Sequence, residues 1–325
     1  MSNMNRHIFC GRPSSANASS YLSGIPSLRV PWGRTFGLSC LLIILLLSLS
    51  LSACITNPAT SSNAPNPYHL LTPGVLTVGS DTTNPPLEYA DPATHTTWGF
   101  DVDLITALAQ RLGLKVTIVT SKYETLINEL SDGRYDAVIS GMSITPDRQQ
   151  QANFIPYLNA GESLLVQAGN PHHITSLASL CGMAVGVQSG TIEQLDVQAA
   201  SSVCTESGKP AIAITSLANE DPVVQLLAQQ KVVATFQDSP VTNYYVKQHP
   251  AQFAVGGTLI KADLDGIAVR KGDTALFNAL QTALHAMVAD GSYHRLIEKW
   301  GMTDGAIAKI AGWMLSDAIV KFDAK

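Results

Sequence analysis

The chain reads YDAVI at residues 135–139 and continues with SGMSITPDR at residues 140–148. The first run predicts a buried strand, and the second predicts a hydroxyl-rich turn that ends at Arg148. Such a turn offers backbone N–H groups, hydroxyls and a guanidinium to one small anion. Because arginine binds carboxylates through bidentate, charge-assisted hydrogen bonds, the stretch predicts a carboxylate-binding site. The alternative role for Arg148 is an exposed charge at the start of a helix.

An acidic partner for this site occurs far downstream, at Asp238. It follows Gln237 at the end of the apolar run 232–236. One guanidinium and one distant carboxylate match the two charges of a free amino acid, which the pair would hold at its two ends. The alternative is that Asp238 only caps a helix ahead of Pro240, because aspartate is common at helix N-termini.

Short β-branched runs alternate with amphipathic segments from residue 75 onwards. This order predicts an α/β fold in which mostly parallel sheets carry helices on both faces and ligands bind at the carboxyl ends of the strands. Asp101 and Asp103 open the first predicted helix, where the helix dipole favours acidic residues, so we assign them no site. We predict strands at 75–79, 116–119, 137–139, 164–167, 183–187, 211–214, 232–236 and 266–269, and helices at 101–112, 123–130, 223–229, 274–290 and 293–300.

The alternation restarts after residue 167, which predicts two lobes. A folded part of about 270 residues also fits two domains better than one. We expect lobe 1 to comprise residues 75–163 and 264–302, and lobe 2 to comprise residues 164–263. Two hinge strands would join the lobes.

Residues 1–53 predict an export signal. Their apolar core at 36–51 follows two arginines and is short, which is typical of a secretory leader rather than a membrane-spanning helix. The small residues before Cys54 resemble the lipobox of bacterial lipoproteins, so we expect Cys54 to carry a lipid after cleavage. An uncleaved membrane anchor is the alternative. In both cases the folded part lies outside the cytoplasm, anchored to the membrane.

Two further segments flank the predicted lobes. Residues 54–74 are rich in Ser, Thr, Asn, Pro and Ala, a composition that predicts a flexible tether. Residues 303–325 form a C-terminal tail with an amphipathic pattern, to which we assign no role.

Charge and motifs exclude several classes of function. The formal net charge is -5 and the chain has no basic run, so we expect no nucleic-acid partner. The sequence lacks HExxH, CxxC, GxSxG and GxxxxGK[ST] patterns, so we expect no metal, no cofactor and no catalytic residue.

Cys181 and Cys204 are the two cysteines left in the exported part. They predict a disulfide, because exported proteins fold in an oxidising environment. The bond would close a loop of about 24 residues and contribute roughly 3 kcal/mol to stability. Free buried thiols are the alternative.

Six segments in order carry a family resemblance. They are GSDTTNPPLEY (79–89), WGFDVDL (98–104), SGMSITPDR (140–148), VQSGT (187–191), FQDSP (236–240) and ADGSY (289–293). Together they resemble the bacterial extracellular solute-binding proteins of family 3, which serve polar amino-acid ABC importers. The resemblance covers about residues 75–300 and implies a two-lobed, periplasmic-binding-protein-like fold of type II.

The resemblance also implies how the two ends of an amino acid are bound. Arg148 would bind the α-carboxylate, assisted by the Ser143 and Thr191 groups and the local backbone. Asp238 would accept hydrogen bonds from the α-ammonium group, together with the Gly141 carbonyl.

Other positions of the family motif imply contacts to the rest of the ligand. Asn84 departs from the pattern, because relatives often have an aromatic residue there, and this leaves the specificity open. The remaining implied contacts are Asp81 at the pocket entrance of lobe 1, Tyr123 as an aromatic cover, Ser140 in the binding turn, and Gln188 and Gln237 beside the ligand side chain.

These features predict a monomeric, extracytoplasmic substrate-binding lipoprotein that captures a polar amino acid and delivers it to the permease of an ABC importer. Gln188 and Gln237 favour a neutral, glutamine-like side chain, and Asp81 also suits a basic one. The alternative is an exported enzyme on the same scaffold, similar to cyclohexadienyl dehydratases that act on prephenate or arogenate. Asp81 or Glu88 would then be its general acid. We expect the binding role and no enzymatic activity.

Overall fold

The computed structural model describes residues 66–91, 93–94 and 96–307. The predicted export signal, Cys54 and most of the predicted tether and tail lie outside the described residues. Within these ranges, no helix is both long and apolar enough to cross a membrane.

The strands form two sheets. A nine-stranded sheet runs through the described body, and a three-stranded sheet is separate from it. The two- and three-residue strands of the small sheet escaped prediction because they are too short to show a period. The strands are β1 (Val75–Ser80), β2 (Thr83–Asn84), β3 (Glu88–Ala90), β4 (Thr97–Trp98), β5 (Lys115–Thr120), β6 (Ala137–Val138), β7 (Ala152–Gln167), β8 (Ala184–Gln188), β9 (Ala213–Leu217), β10 (Ala234–Asp238), β11 (Phe253–Val255) and β12 (Lys261–Arg270).

The five helices for which we predicted bounds lie close to those positions, and the segment that begins at Tyr123 opens with a 3-10 turn. The helices at Pro146–Gln151, Ile192–Glu206 and Ser239–Gln248 had no predicted bounds. The helices are α1 (Phe100–Arg111), α2 (Leu126–Ser131), α3 (Pro146–Gln151), α4 (Ile192–Glu206), α5 (Glu220–Ala228), α6 (Ser239–Gln248), α7 (Thr274–Ala289) and α8 (Ser292–Trp300), with 3-10 turns at Tyr123–Thr125, Leu177–Leu180 and Thr303–Gly305.

The large sheet has the order β5-β1-β6-β12-β7-β10-β8-β9, and β11 also pairs with β7. Its two flanks are parallel: β5, β1 and β6 in lobe 1, and β10, β8 and β9 in lobe 2. In the middle, β7 and β12 run antiparallel to each other. The predicted α/β fold, with two mostly parallel lobes joined by two strands, is confirmed.

Strand β7 is 16 residues long and passes from one lobe to the other. It pairs with β12 from Ala152 onwards and with β10 as far as Val166. The predicted strand at 164–167 is therefore only its last quarter. Pro156 argues against a continuous strand in the sequence, and the register with β12 shifts opposite this proline, between Asp265 and Gly266.

Each lobe buries an apolar core beneath its helices. In lobe 1, Leu104 of α1 and Leu280 of α7 are fully buried against the sheet. In lobe 2, Val185 and Phe236 are buried with Cys204. Burying one such large side chain contributes about 1.5–3 kcal/mol. Cys204 forms a disulfide with Cys181, as predicted.

The folded body extends beyond both predicted boundaries. Leu70 is buried in the lobe 1 core, and the Asn66 side chain hydrogen-bonds both the N–H and the carbonyl of Leu70. The predicted flexible tether is therefore wrong for residues 66–74, because one leucine in a polar segment gives no periodic signal. At the other end, Ile307 is buried and its N–H donates to the Tyr293 hydroxyl, so the predicted tail begins inside the body.

Candidate functional site

The carboxyl ends of four strands bring the predicted residues to one cleft. Asp81 and Ser140 follow β1 and β6 in lobe 1, while Gln188 and Asp238 end β8 and β10 in lobe 2. This is where ligands bind on open α/β sheets. We call the lobe 1 side of the cleft wall 1 and the lobe 2 side wall 2.

Wall 1 is built around Gly141, whose backbone has a φ of 50°. A Cβ at this position would lie 2.8 Å from a Leu87 methyl group, so both conformation and space require glycine. The Gly141 N–H donates to Asp101 Oδ2 at 2.9 Å, and the Tyr157 hydroxyl donates to the same oxygen at 2.7 Å. The sequence explained Asp101 only as an acid favoured by the helix dipole. In the structure Asp101 is fully buried, and its carboxylate holds the turn in place.

Ser140 connects the turn to two acidic residues. Its hydroxyl accepts a hydrogen bond from the Asp81 N–H at 2.9 Å and donates to Glu88 Oε1 at 2.8 Å. Burial, followed by the charge of Asp101, raises the pKa of Glu88 well above its usual range. Burial also raises the pKa of Asp81 to about 6. Ser140 therefore stabilises wall 1 through hydrogen bonds within lobe 1.

Arg148 lies at the start of α3, where the Thr145 hydroxyl caps the helix by accepting a hydrogen bond from the Arg148 N–H. Its guanidinium donates to the Ser143 carbonyl at 2.8 Å and, across the cleft, to the Gly190 carbonyl at 3.0 Å. The guanidinium carbon lies 5.4 Å from the centre of the Tyr123 ring. Tyr123 is buried. The structure thus brings Arg148, Ser143 and Tyr123 together at the cleft, so Arg148 is not simply a surface charge.

Two residues of wall 2 are already hydrogen-bonded. The Gln188 amide donates to Asp81 Oδ2 at 2.5 Å, across the cleft, and to the Ala218 carbonyl at 3.0 Å. The Thr191 hydroxyl donates to the Gln188 carbonyl and caps α4 by accepting the Gln194 N–H. Gln188 therefore ties the two walls together.

Asp238 and Gln237 present acceptor oxygens on wall 2. Asp238 occupies the N-cap position of α6, yet within the described chain its side chain makes no capping bond. Its Oδ2 lies 3.6 Å from where a Gly141 Cβ would be, so the walls meet at this point. Burial and then Asp265 raise the pKa of Asp238 well above its usual range. The Gln237 amide donates to the Thr242 hydroxyl at 3.0 Å.

Two acidic residues of wall 2 were not predicted. Glu193 and Glu220 lie in the first turns of α4 and α5 and are almost fully buried. An acidic residue at the start of a helix is already explained by its favourable interaction with the helix dipole, so the sequence gave no reason to assign either residue to a site. A first-turn acid that follows the carboxyl end of a predicted strand is the signal that could have identified both.

The walls enclose a cavity of about 20 Å³, enough for roughly one water molecule. An amino acid can therefore enter only when the lobes move apart. Among the described residues, the buried charged side chains are all acidic. The cavity is lined by Asn84, Tyr123, Gly141, Gln188, Thr191, Glu193, Glu220, Phe236, Gln237 and Asp238.

Within the described ranges, neither a second groove nor a metal cluster provides a better candidate site. A groove of about 570 Å³ lies between β7, α6 and α8, lined by residues such as Tyr244 and Trp300, but none of the predicted site residues lies there. In the part of the chain that the structure describes, no group of three or more His, Cys, Asp or Glu residues could hold a metal ion. The cleft therefore stays the candidate site, and the individual ligand contacts stay predictions.

Comparison with known proteins agrees with this architecture. Residues 76–303 match the bacterial extracellular solute-binding proteins, family 3. The chain belongs to this family. The lysine/arginine/ornithine-binding periplasmic protein of Escherichia coli K12 is 32% identical over 264 residues, which cover 78% of this chain and 95% of that protein.

Two solved structures show the same fold. An ancestral arginine-binding protein bound to arginine is 36% identical, with a TM-score of 0.64, and the match covers 70% of this chain and 98% of that one. The ancestral amino acid-binding protein AncCDT-1, a precursor of cyclohexadienyl dehydratase, is 34% identical, with a TM-score of 0.62 and coverage of 70% and 95%.

Proposed function

We propose that this family 3 protein captures a free amino acid outside the cytoplasm and delivers it to the permease of an ABC importer. The arrangement of two opposite charges carries the proposal: the Arg148 guanidinium bridges the cleft from wall 1, and the Asp238 carboxylate faces Gly141 from wall 2. These groups suit the α-carboxylate and the α-ammonium of one ligand.

Binding in such a cleft replaces water around both ends of the ligand. Hydrogen bonds to charged groups contribute roughly 1.5–3 kcal/mol each, and micromolar affinity requires only about -8 kcal/mol in total. Closure around a ligand is a known behaviour of periplasmic binding proteins as a class. Here β7 and β12 would act as the hinge, since these strands pass between the lobes.

The ligand is a basic amino acid under this proposal. Once Arg148 and Asp238 have bound the two ends, the cavity still has Glu193 and Glu220 in its lining, with Asp81 beside it. A cationic ligand side chain would give these carboxyl groups a positively charged partner. The amides of Gln188 and Gln237 already donate to Asp81 and Thr242, so they favour a glutamine-like ligand less than the sequence suggested.

The relatives support this choice of ligand and compartment. One is named for binding lysine, arginine and ornithine in the periplasm, and another was solved with arginine. We extend the proposal to a monomer held at the outer face of the membrane by a lipid on Cys54, which lies outside the described residues.

A thermal-shift panel of the twenty amino acids tests the proposal on the chain from residue 55 onwards. A ligand at 100 times its Kd should add about 2.7 kcal/mol to stability. We expect arginine, lysine or histidine to raise the melting temperature most, and ornithine, added to the panel as a twenty-first ligand, to act similarly. A panel in which no amino acid raises it would contradict the transport role.

An enzymatic alternative has one specific observation in its favour. Burial raises the pKa of Asp81 to about 6, which suits a general acid near neutral pH, and AncCDT-1 is a dehydratase precursor with the same fold. Assays of prephenate and arogenate turnover test it. Turnover that disappears in Asp81→Asn would favour the enzyme, and the absence of turnover beside tight amino-acid binding would favour the receptor.

A further inference from the structure

Glu220 is placed at the cleft by the start of α5. Its backbone N–H donates to the Thr83 hydroxyl of lobe 1 at 3.2 Å, so this residue contacts both lobes when the cleft is closed. Its side chain lines the cavity and is 2% exposed. Glu220 therefore borders the cavity from lobe 2, at a point where the two lobes are in contact.

The Glu220 carboxyl group is in an unfavourable position without a cation. Its Oε1 is buried and has no hydrogen-bond partner in the described part of the chain. Burial, and then the charges of Glu193, Asp81 and Asp221, raise its pKa well above the usual range. A buried carboxylate normally has a paired charge or several donors.

The other acidic groups at the cavity have partners of their own. Asp81 accepts hydrogen bonds from the Gln188 amide and the Thr83 hydroxyl. Burial raises the pKa of Glu193, and its own backbone N–H and the charge of Arg148 oppose that shift, so its carboxyl group already has a donor and a cation nearby. Asp238 faces Gly141, where the ligand ammonium is expected. Glu220 is thus the carboxyl group best suited to a second positive charge.

A second acceptor lies in the lining of the same cavity. The Gln237 Oε1 atom, on β10, is buried and likewise lacks a hydrogen-bond partner among the described residues. Two acceptors on separate elements favour a group that donates in several directions. A guanidinium has five N–H donors and an ammonium has three, so both fit, and a neutral carbonyl does not.

We infer that Glu220 is the specificity-determining residue that binds the positive end of the ligand side chain, with Gln237 Oε1 as a second acceptor. This inference rests on the proposed function and refines it. A basic amino acid carries a third charge on its side chain, besides the two at its ends. The inference makes Glu220 the residue that recognises this charge, and no family motif in the sequence indicated Glu220.

The test compares arginine with citrulline, which has nearly the same shape but no side-chain charge. Calorimetry on the purified protein should show that wild type prefers arginine. We expect Glu220→Gln to weaken arginine binding about 30-fold or more, because it removes a charge-assisted contact, and to change citrulline binding less than about threefold.

Asp221→Asn is the matched control. Asp221 is the next acidic residue on α5 and accepts a hydrogen bond from the Tyr245 hydroxyl at 2.6 Å. Its substitution should leave the ratio of arginine to citrulline affinity within about threefold of wild type. A purely structural role for Glu220 would weaken both ligands equally, and that result would overturn the inference.

The outcomes also separate this inference from the proposed function. If wild type prefers arginine and Glu220→Gln keeps that preference, only the role of Glu220 is wrong. If wild type binds no amino acid at all, the proposed function is wrong. Melting curves of both variants without ligand show whether each is folded.

Discussion

The two walls of the cleft are built in different ways. On wall 1, the turn donors are satisfied within lobe 1: the Gly141 N–H by Asp101 and the Ser140 hydroxyl by Glu88. Glu88 Oε2 and Asp101 Oδ1 are also buried without a partner in the described chain, but neither residue lines the cavity. On wall 2, Glu220 and Gln237 each have a buried acceptor oxygen without a partner there, and both residues line the cavity. Wall 1 therefore fixes the geometry of the site, and wall 2 presents unpaired acceptor oxygens that a positively charged donor could satisfy.

This difference predicts different costs of substitution. Changing a support of wall 1 should lower stability and affinity together, because the turn loses its shape. Changing an acceptor of wall 2 should lower affinity alone, because removing an unpaired buried acid does not cost the folded protein a contact.

Arg148→Ala should have the largest effect. We expect it to weaken binding of a basic amino acid by about 2–5 kcal/mol, mostly because the ligand carboxylate loses its partner. Isothermal titration calorimetry measures the change. Arg134→Ala is the control, since Arg134 is exposed and forms an ion pair with Glu129 elsewhere in lobe 1. Unchanged affinity in Arg148→Ala would remove this residue from the site.

Tyr157→Phe should have an intermediate effect and sharpen the contrast between the walls. It removes the hydroxyl that donates to the buried Asp101, so we expect a loss of about 1.5–3 kcal/mol in the free energy of unfolding. Glu220→Gln, on wall 2, should leave the ligand-free stability unchanged or raise it. Urea unfolding of both variants measures this, and equal destabilisation of the two would contradict the comparison.

Changing the pH should have the smallest effect. The pKa of Asp81 is about 6 in the folded protein, above its ordinary value of 3.8, so the folded state holds this proton more strongly than the unfolded state. The contribution of Asp81 to ligand-free stability is therefore greatest below about pH 4 and is lost as the pH rises through 6.

Ligand affinity should change in the opposite direction. A cationic ligand favours the ionised carboxylate, so affinity should rise about tenfold between pH 5 and pH 7. Calorimetry in buffers of different ionisation enthalpy would detect the released proton. Asp81→Asn should flatten the dependence, and a profile that stays equally steep in this variant would assign it to another acid.

Much of the architecture could be predicted from the sequence. Alternating β-branched runs and helical stripes indicated the lobes, and two cysteines in the part predicted to be exported indicated the disulfide. The turn at Gly141 and the position of Asp238 followed from polar residues at strand ends. These features could be predicted because each depends mainly on residues that are adjacent in the sequence.

The remaining features depend on packing that the sequence does not display. Pro156 concealed the length of β7, because only the paired strand shows that a register shift accommodates it. Asp101, Glu193 and Glu220 all open helices, and the dipole explains an acid there whether it is exposed or buried. Burial separates the two cases, and burial is set by the opposite lobe or by neighbouring elements.

Under the proposed lipid anchor, the early start of the folded body would limit how far the protein can rise above the membrane. Because Asn66 and Leu70 already belong to the body, 11 residues, Ile55 to Pro65, separate Cys54 from it in the sequence. If Cys54 carries the lipid, a segment of this length can span at most about 40 Å. A loaded receptor would then find its permease by lateral diffusion in a thin layer at high local concentration.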